Sequence, residues 1–173
     1  MENQPNSKGI ILNYGLYFGI VSILISVITY AMGKHLEQGV LSSLIGFGVM
    51  ILFVVLASKK YKETNNGFMT WGQGVKIGVG TVVIGIIISI IWQQIFINFI
   101  EPDFMNQVAE KTRLSLSDAG FNEDQIDAQM EMQAKFQSPL ISSALGIAVG
   151  AFFGFIISAV SSAIMKKSEE ETY

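Results

Sequence analysis

The chain has 173 residues, room for one domain of ordinary size, and half of them are apolar while only 14% are charged. Soluble domains carry about 25% charged residues. A net charge of −3 with a single histidine gives no basic field for nucleic acid, and the lack of cysteine excludes disulfide, thiolate and Cys-ligated metal chemistry.

The charges are segregated. No Asp, Glu, Lys or Arg occurs in the 25 residues between Lys8 and Lys34, the 21 between Glu37 and Lys59, the 24 between Lys76 and Glu101, or the 30 between Lys135 and Lys166. A charge at the centre of a spanning helix costs about 2.5–3.5 kcal/mol on insertion scales. The outer face of a soluble helix is normally charged. A hydrocarbon core about 30 Å thick needs about 20 apolar residues of helix, and each gap is that long. The reading is an all-α integral membrane four-helix bundle, a single domain over 1–173 with the lipid bilayer as its first partner.

The first span is expected over about 10–32. Ala31-Met32-Gly33 loosely imitates a signal cleavage site, but the apolar run exceeds the roughly 7–15 residues of a signal peptide, so the span is read as retained. The second is expected over about 40–57, joined to the first by a short connection that makes an antiparallel hairpin. A basic connection follows with Lys59, Lys60 and Lys62, then the turn signal Asn65-Asn66-Gly67. The third span is expected over about 77–99 and the fourth over about 139–165.

Between the third and fourth spans lies the chain's one sizeable polar segment, about 101–137, with eight acidic and three basic residues. Pro102 disfavours helix at Glu101 and suits a first helical position. A helix from about Pro102 to Ser117 would align Phe104, Met105, Val108 and Leu116. Gly120 supplies a turn. Asn122 and Gln125 are spaced as a capping box, Phe121 and Ile126 as a hydrophobic staple, and Ile126, Met130 and Ala134 continue an apolar stripe. Ser138 before Pro139 caps and starts the last span. The segment is thus expected to be an extracytoplasmic helical hairpin. It either packs its own thin apolar stripe or presents an acidic face to a partner.

Sidedness follows from basic residues. Lys8, Lys59, Lys60, Lys62, Lys76, Lys166 and Lys167 gather on one side, and Lys34, Lys111, Arg113 and Lys135 on the other. That bias puts both termini in the cytoplasm.

In the fourth span Ser142, Gly146, Gly150, Gly154, Ser158 and Ser162 recur every four residues. Small residues at that spacing form one stripe along a helix and let a neighbouring backbone approach closely. Gly15, Gly19, Ser22 and Ser26 in the first span, and Gly74, Gly78, Thr81, Gly85 and Ser89 in the third, are counterparts. Such stripes serve either the protein's own bundle or a self-association face. Gln93, Gln94 and Asn98 form a polar cluster near the end of the third span. Interface residence explains them simply, and a ligand or permeation role is the alternative. No ionisable residue lies mid-span. His35 has only Lys34 and Glu37 beside it in sequence, too few groups for a metal site or triad. Gly72-Gln73-Gly74 lacks the spacing of a phosphate loop. No catalytic, cofactor or metal residue is expected.

Gly67-Phe68-Met69-Thr70-Trp71-Gly72-Gln73-Gly74 before the third span, and Phe99-Ile100-Glu101-Pro102-Asp103-Phe104 after it, complete a pattern. In this order of spans and connections the chain, from about Gly9 to Lys167, resembles the small bacterial inner-membrane family known as domain of unknown function four-one-nine-nine. The resemblance implies a four-span domain in a bacterial cytoplasmic membrane and carries no activity. The expected role is a non-enzymatic module that self-associates as a homo-oligomer or binds another envelope protein. The alternative is a small-solute channel or transporter acting as a homo-oligomer.

Overall fold

A computed structural model describes residues 6–37 and 39–167; position 38 of the first connection and the two ends of the 1–173 domain lie outside it. Six α-helices follow in order: α1 (Ser7–Ala31), α2 (Val40–Thr64), α3 (Trp71–Ile95), α4 (Phe104–Asp118), α5 (Glu123–Phe136) and α6 (Pro139–Met165). A π-helical turn, Phe96–Ile100, extends α3. With that turn, α1, α2, α3 and α6 are helices of 25, 25, 30 and 27 residues, long and apolar enough to cross a membrane. No strand occurs among the described residues.

Several helix boundaries differ from the sequence reading: α1 begins at Ser7, before residue 10, and α4 at Phe104, not Pro102. α2 runs on to Thr64, because lysines end the apolar stretch but not the backbone hydrogen bonding. α3 starts at Trp71, where the Thr70 hydroxyl accepts from Gln73 N and the Gln73 side chain accepts from Thr70 N, closing a capping box. Between them Asn66 and Gly67 take φ of 52° and 86°, so the chain reverses in the turn the sequence signalled. Asn122 and Gln125 make the expected capping box of α5. Pro139 opens α6, although Ser138 gives no side-chain cap bond.

The ends of the bundle differ in character. At the basic end, Met69 and Lys167 exchange backbone hydrogen bonds of 2.9 and 3.0 Å. Lys62 Nζ donates to the Met165 carbonyl at 2.8 Å, and Trp71 Nε1 to that of Ala159 at 3.1 Å. The other end carries the α1–α2 connection and the α4–α5 hairpin. Helix α1 packs mainly on α3, not on its sequence neighbour α2, and α6 also packs mainly on α3.

Glycine makes those contacts close. A Cβ on Gly78 would lie 2.7 Å from the Ser158 Cβ and 2.9 Å from Val54 Cγ1, and one on Gly74 would lie 2.9 Å from the Ser162 Cβ. Further along the same glycine stripe the Phe18 ring fills the space over Gly85, 2.8 Å from where a Cβ would stand. Without a strong hydrophobic drive between helices in lipid, such close van der Waals packing carries much of the association. Ser58, Thr81, Ser158 and Ser162 are fully buried here, and their hydroxyls find no hydrogen-bond partner.

Packing stops partway. On α2 the buried positions are Phe53, Val54, Ala57, Ser58 and Tyr61, whereas Val40 through Gly48 are all exposed. On α6 burial begins only at Gly150. Four members of the six-residue stripe, Gly150, Gly154, Ser158 and Ser162, therefore pack against α3, while Ser142 and Gly146 are exposed. Overpacking costs about 1–3 kcal/mol or more. Gly78→Leu is expected to lower stability by about 3 kcal/mol, whereas Gly146→Ala stays within about 1 kcal/mol of the parent. Thermal or SDS unfolding of the detergent-solubilised variants compares the two.

Candidate functional site

At the hairpin end α1 and α3 stay together and enclose a half-open cavity of about 340 Å³. Hydroxyls face it from both helices. Ser22 donates to the Phe18 carbonyl at 2.9 Å, and Ser89 to that of Gly85 at 3.0 Å. Thr29 donates to Ile25 at 3.0 Å and Ser26 at 2.9 Å. Back-bonding of this kind is how hydroxyls satisfy their protons inside a helix. Ser26 Oγ differs: it accepts the Trp92 indole N–H at 3.1 Å and links the two helices. One turn beneath Ser22, toward the basic end, the Phe18 ring packs on Gly85.

Its upper wall is His35. The imidazole centroid lies 5.0 Å from Tyr30, 6.0 Å from Phe104 and 6.3 Å from Phe96. Glu101 Oε2 stands 2.9 Å from Nε2, and both side chains are only 15% exposed. The pair is close but poorly aligned, so both ring nitrogens and Oε2 lack a hydrogen-bond partner. The other carboxylate oxygen accepts from Gln107 Nε2 at 2.9 Å. Helix ends bring these groups together. The Glu101 N–H reaches back to the Phe96 carbonyl at 2.9 Å, closing the π turn, a geometry enriched at functional sites. Pro102 and Asp103 then turn the chain into α4, which carries Phe104 and Gln107 back over the first connection.

Here the structure adds to the sequence. His35 is not confined to Lys34 and Glu37; its carboxylate partner stands on a different span. Of the polar cluster, Gln93 lines the cavity, while Asn98 Nδ2 donates to the Gln94 carbonyl at 2.7 Å and lies on an exposed face. Phe104, Met105, Val108 and Leu116 share the partly buried side of α4, and Ile126 is buried on α5, but Ala134 is exposed. Arg113 bridges the hairpin to Glu123 at 2.6 Å and Asp127 at 3.0 Å. The Glu123 hydrogen bond, then the Asp127 charge, push its pKa above the ordinary arginine value. No cluster of three or more His, Asp or Glu residues able to hold a metal occurs among the described residues.

Residues 13–167 match the family described as protein of unknown function (DUF4199). The chain belongs to that family. No curated protein and no solved structure matches it significantly. The DUF4199 match spans all four membrane helices and the hairpin, so His35, Glu101 and the whole cavity fall within it. The DUF4199 description itself assigns no activity.

Truncating one member of a buried polar pair costs about 1–3 kcal/mol. His35→Ala and Glu101→Ala are each expected to destabilise by that order, and the double variant by less than their sum. An SDS-unfolding double-mutant cycle measures the coupling; strictly additive losses would show that the two side chains act independently.

Proposed function

We propose that this DUF4199 protein is a non-enzymatic module of the bacterial cytoplasmic membrane, and that it self-associates through the hairpin-end half of α2. One observation carries the reading. Nine consecutive residues of α2, Val40 to Gly48, lie exposed, and a Cβ added to Gly46 or Gly48 would meet no atom within 4 Å. Lipid covers exposed apolar faces without needing glycine there. Glycine inside a helix costs about 1 kcal/mol relative to alanine, and the monomer's packing gives no return for it at these positions. Ser42 and Gly46, one turn apart, form the small-xxx-small pattern that admits a second helix. A copy of the same helix supplies a matching pair, as a two-fold interface requires.

The expected behaviour is a dimer in mild detergent and in native membranes. Gly46→Ile should weaken it at least tenfold without loss of helix content, because nothing in the monomer opposes the added side chain. Analytical ultracentrifugation of both forms decides the matter. A parent that is monomeric and recovers a different membrane protein reproducibly would redirect the reading to partner binding.

Both termini are placed in the cytoplasm, with the α4–α5 hairpin outside. The support is the gathering of seven basic residues at one end against four at the other. Since the chain lacks cysteine, single substitutions report sidedness cleanly. Ala119→Cys, on the exposed hairpin turn, should react with an impermeant maleimide in intact cells, and the exposed Lys60→Cys should react only after lysis. Reversed labelling inverts the orientation.

The second reading, solute handling, is favoured by the cavity between α1 and α3. The tight packing of Phe18 on Gly85 just below it supports binding over passage.

A further inference from the structure

We propose that the α1–α3 cavity is a binding site for a small organic ammonium ion, a primary amine on a short apolar body. The inference goes beyond self-association and does not depend on it. The hydroxyl protons of Ser22, Thr29 and Ser89 are all committed to carbonyls of their own helices. What these groups turn toward a ligand is oxygen lone pairs. His35 extends the set. Its Nδ1 is buried and without a partner, and in the neutral ring that carries its proton on Nε2, the nitrogen 2.9 Å from Glu101 Oε2, Nδ1 is an acceptor. A wall that mostly accepts hydrogen bonds selects a ligand that mostly donates them. An alkylammonium carries three N–H donors.

Charge points the same way. No lysine or arginine lines the cavity, and the Glu101 carboxylate stands directly behind His35, where low dielectric makes its field strong. An anion would meet that field and few donors. The remaining wall is apolar and aromatic: Ile23 and Ile25, with Trp92 and Phe96 offering ring faces on which a cation is favoured. At about 340 Å³ the cavity sits at the small end of the range for ligand sites, which suits a short apolar body. Glu101 acts as a positioning residue through the imidazole.

The chain has two tryptophans, Trp71 and Trp92. In Trp71→Phe protein reconstituted in zwitterionic lipid nanodiscs, Trp92 is the sole indole and borders the site. Titration with n-butylammonium should change its fluorescence saturably, while n-butanol and butyrate at equal concentration should not. Ser89→Ala, which removes one acceptor and leaves the helix intact, should raise the apparent Kd several-fold. Glu101→Gln should raise it at least tenfold, and Asn98→Ala, outside the cavity, should leave it unchanged. A response that n-butanol reproduces, a Ser89→Ala protein that binds as the parent does, or no saturable response to the amine would each overturn the assignment.

Discussion

The architecture depends on how closely α6 and α1 can approach α3. Along one stripe of α3, Gly74 and Gly78 admit Ser162 and Ser158, and further up Gly85 admits the ring of Phe18. Inside a bilayer apolar burial offers little net drive between helices, so distance between backbones becomes the main variable. These contacts all lie in the half nearer the basic end. There the Met69–Lys167 bridge and the Lys62–Met165 hydrogen bond tie the connecting segments together. The bundle is rigid where glycine meets serine and opens where that pairing stops.

That gradient shapes everything at the other end. Beyond Gly150 on α6 and Phe53 on α2 no residue of either helix is fully buried, and the contact thins to pairs such as Phe47 with Phe153. Helices held together at one end and joined higher up through the Ser26–Trp92 bond leave a cavity between them. Below it Phe18 packs on Gly85, and above it an imidazole stands beside a carboxylate.

The four spans were legible because lipid excludes charge, and that exclusion is written as runs without Asp, Glu, Lys or Arg. The same signal misplaces helix ends. A run of apolar residues reports where hydrocarbon stops, whereas α2 continues its hydrogen bonds past Lys59, Lys60 and Lys62 to Thr64. Thr70 and Gln73 carry a capping-box spacing, yet apolar content alone began the third span only at about residue 77. The α5 cap, in a polar stretch with no such interference, was readable outright. Small-residue periodicity gave the α6 stripe correctly as a line, yet could not say that it would be used along only part of its length. The pairing of His35 with Glu101 had no local signature. Two whole membrane helices, α2 and α3, separate them along the chain, and a lone histidine flanked by lysine gives no hint of a distant carboxylate.

Only one turn of the described chain departs from α or extended geometry in a way that moves a functional group. Phe96–Ile100 accommodates one residue more than an ordinary turn would. At 3.6 residues per turn each residue advances an α-helix by about 100°. The bond from the Glu101 N–H to the Phe96 carbonyl spans five residues and stacks Glu101 over Phe96, where an α-helix would set the residue before it. The turn thus absorbs its surplus residue and keeps the carboxylate on the Phe96 side of the helix, toward the first connection. Wound as regular α-helix, the same residues would carry that carboxylate about 100° further round the axis, away from His35.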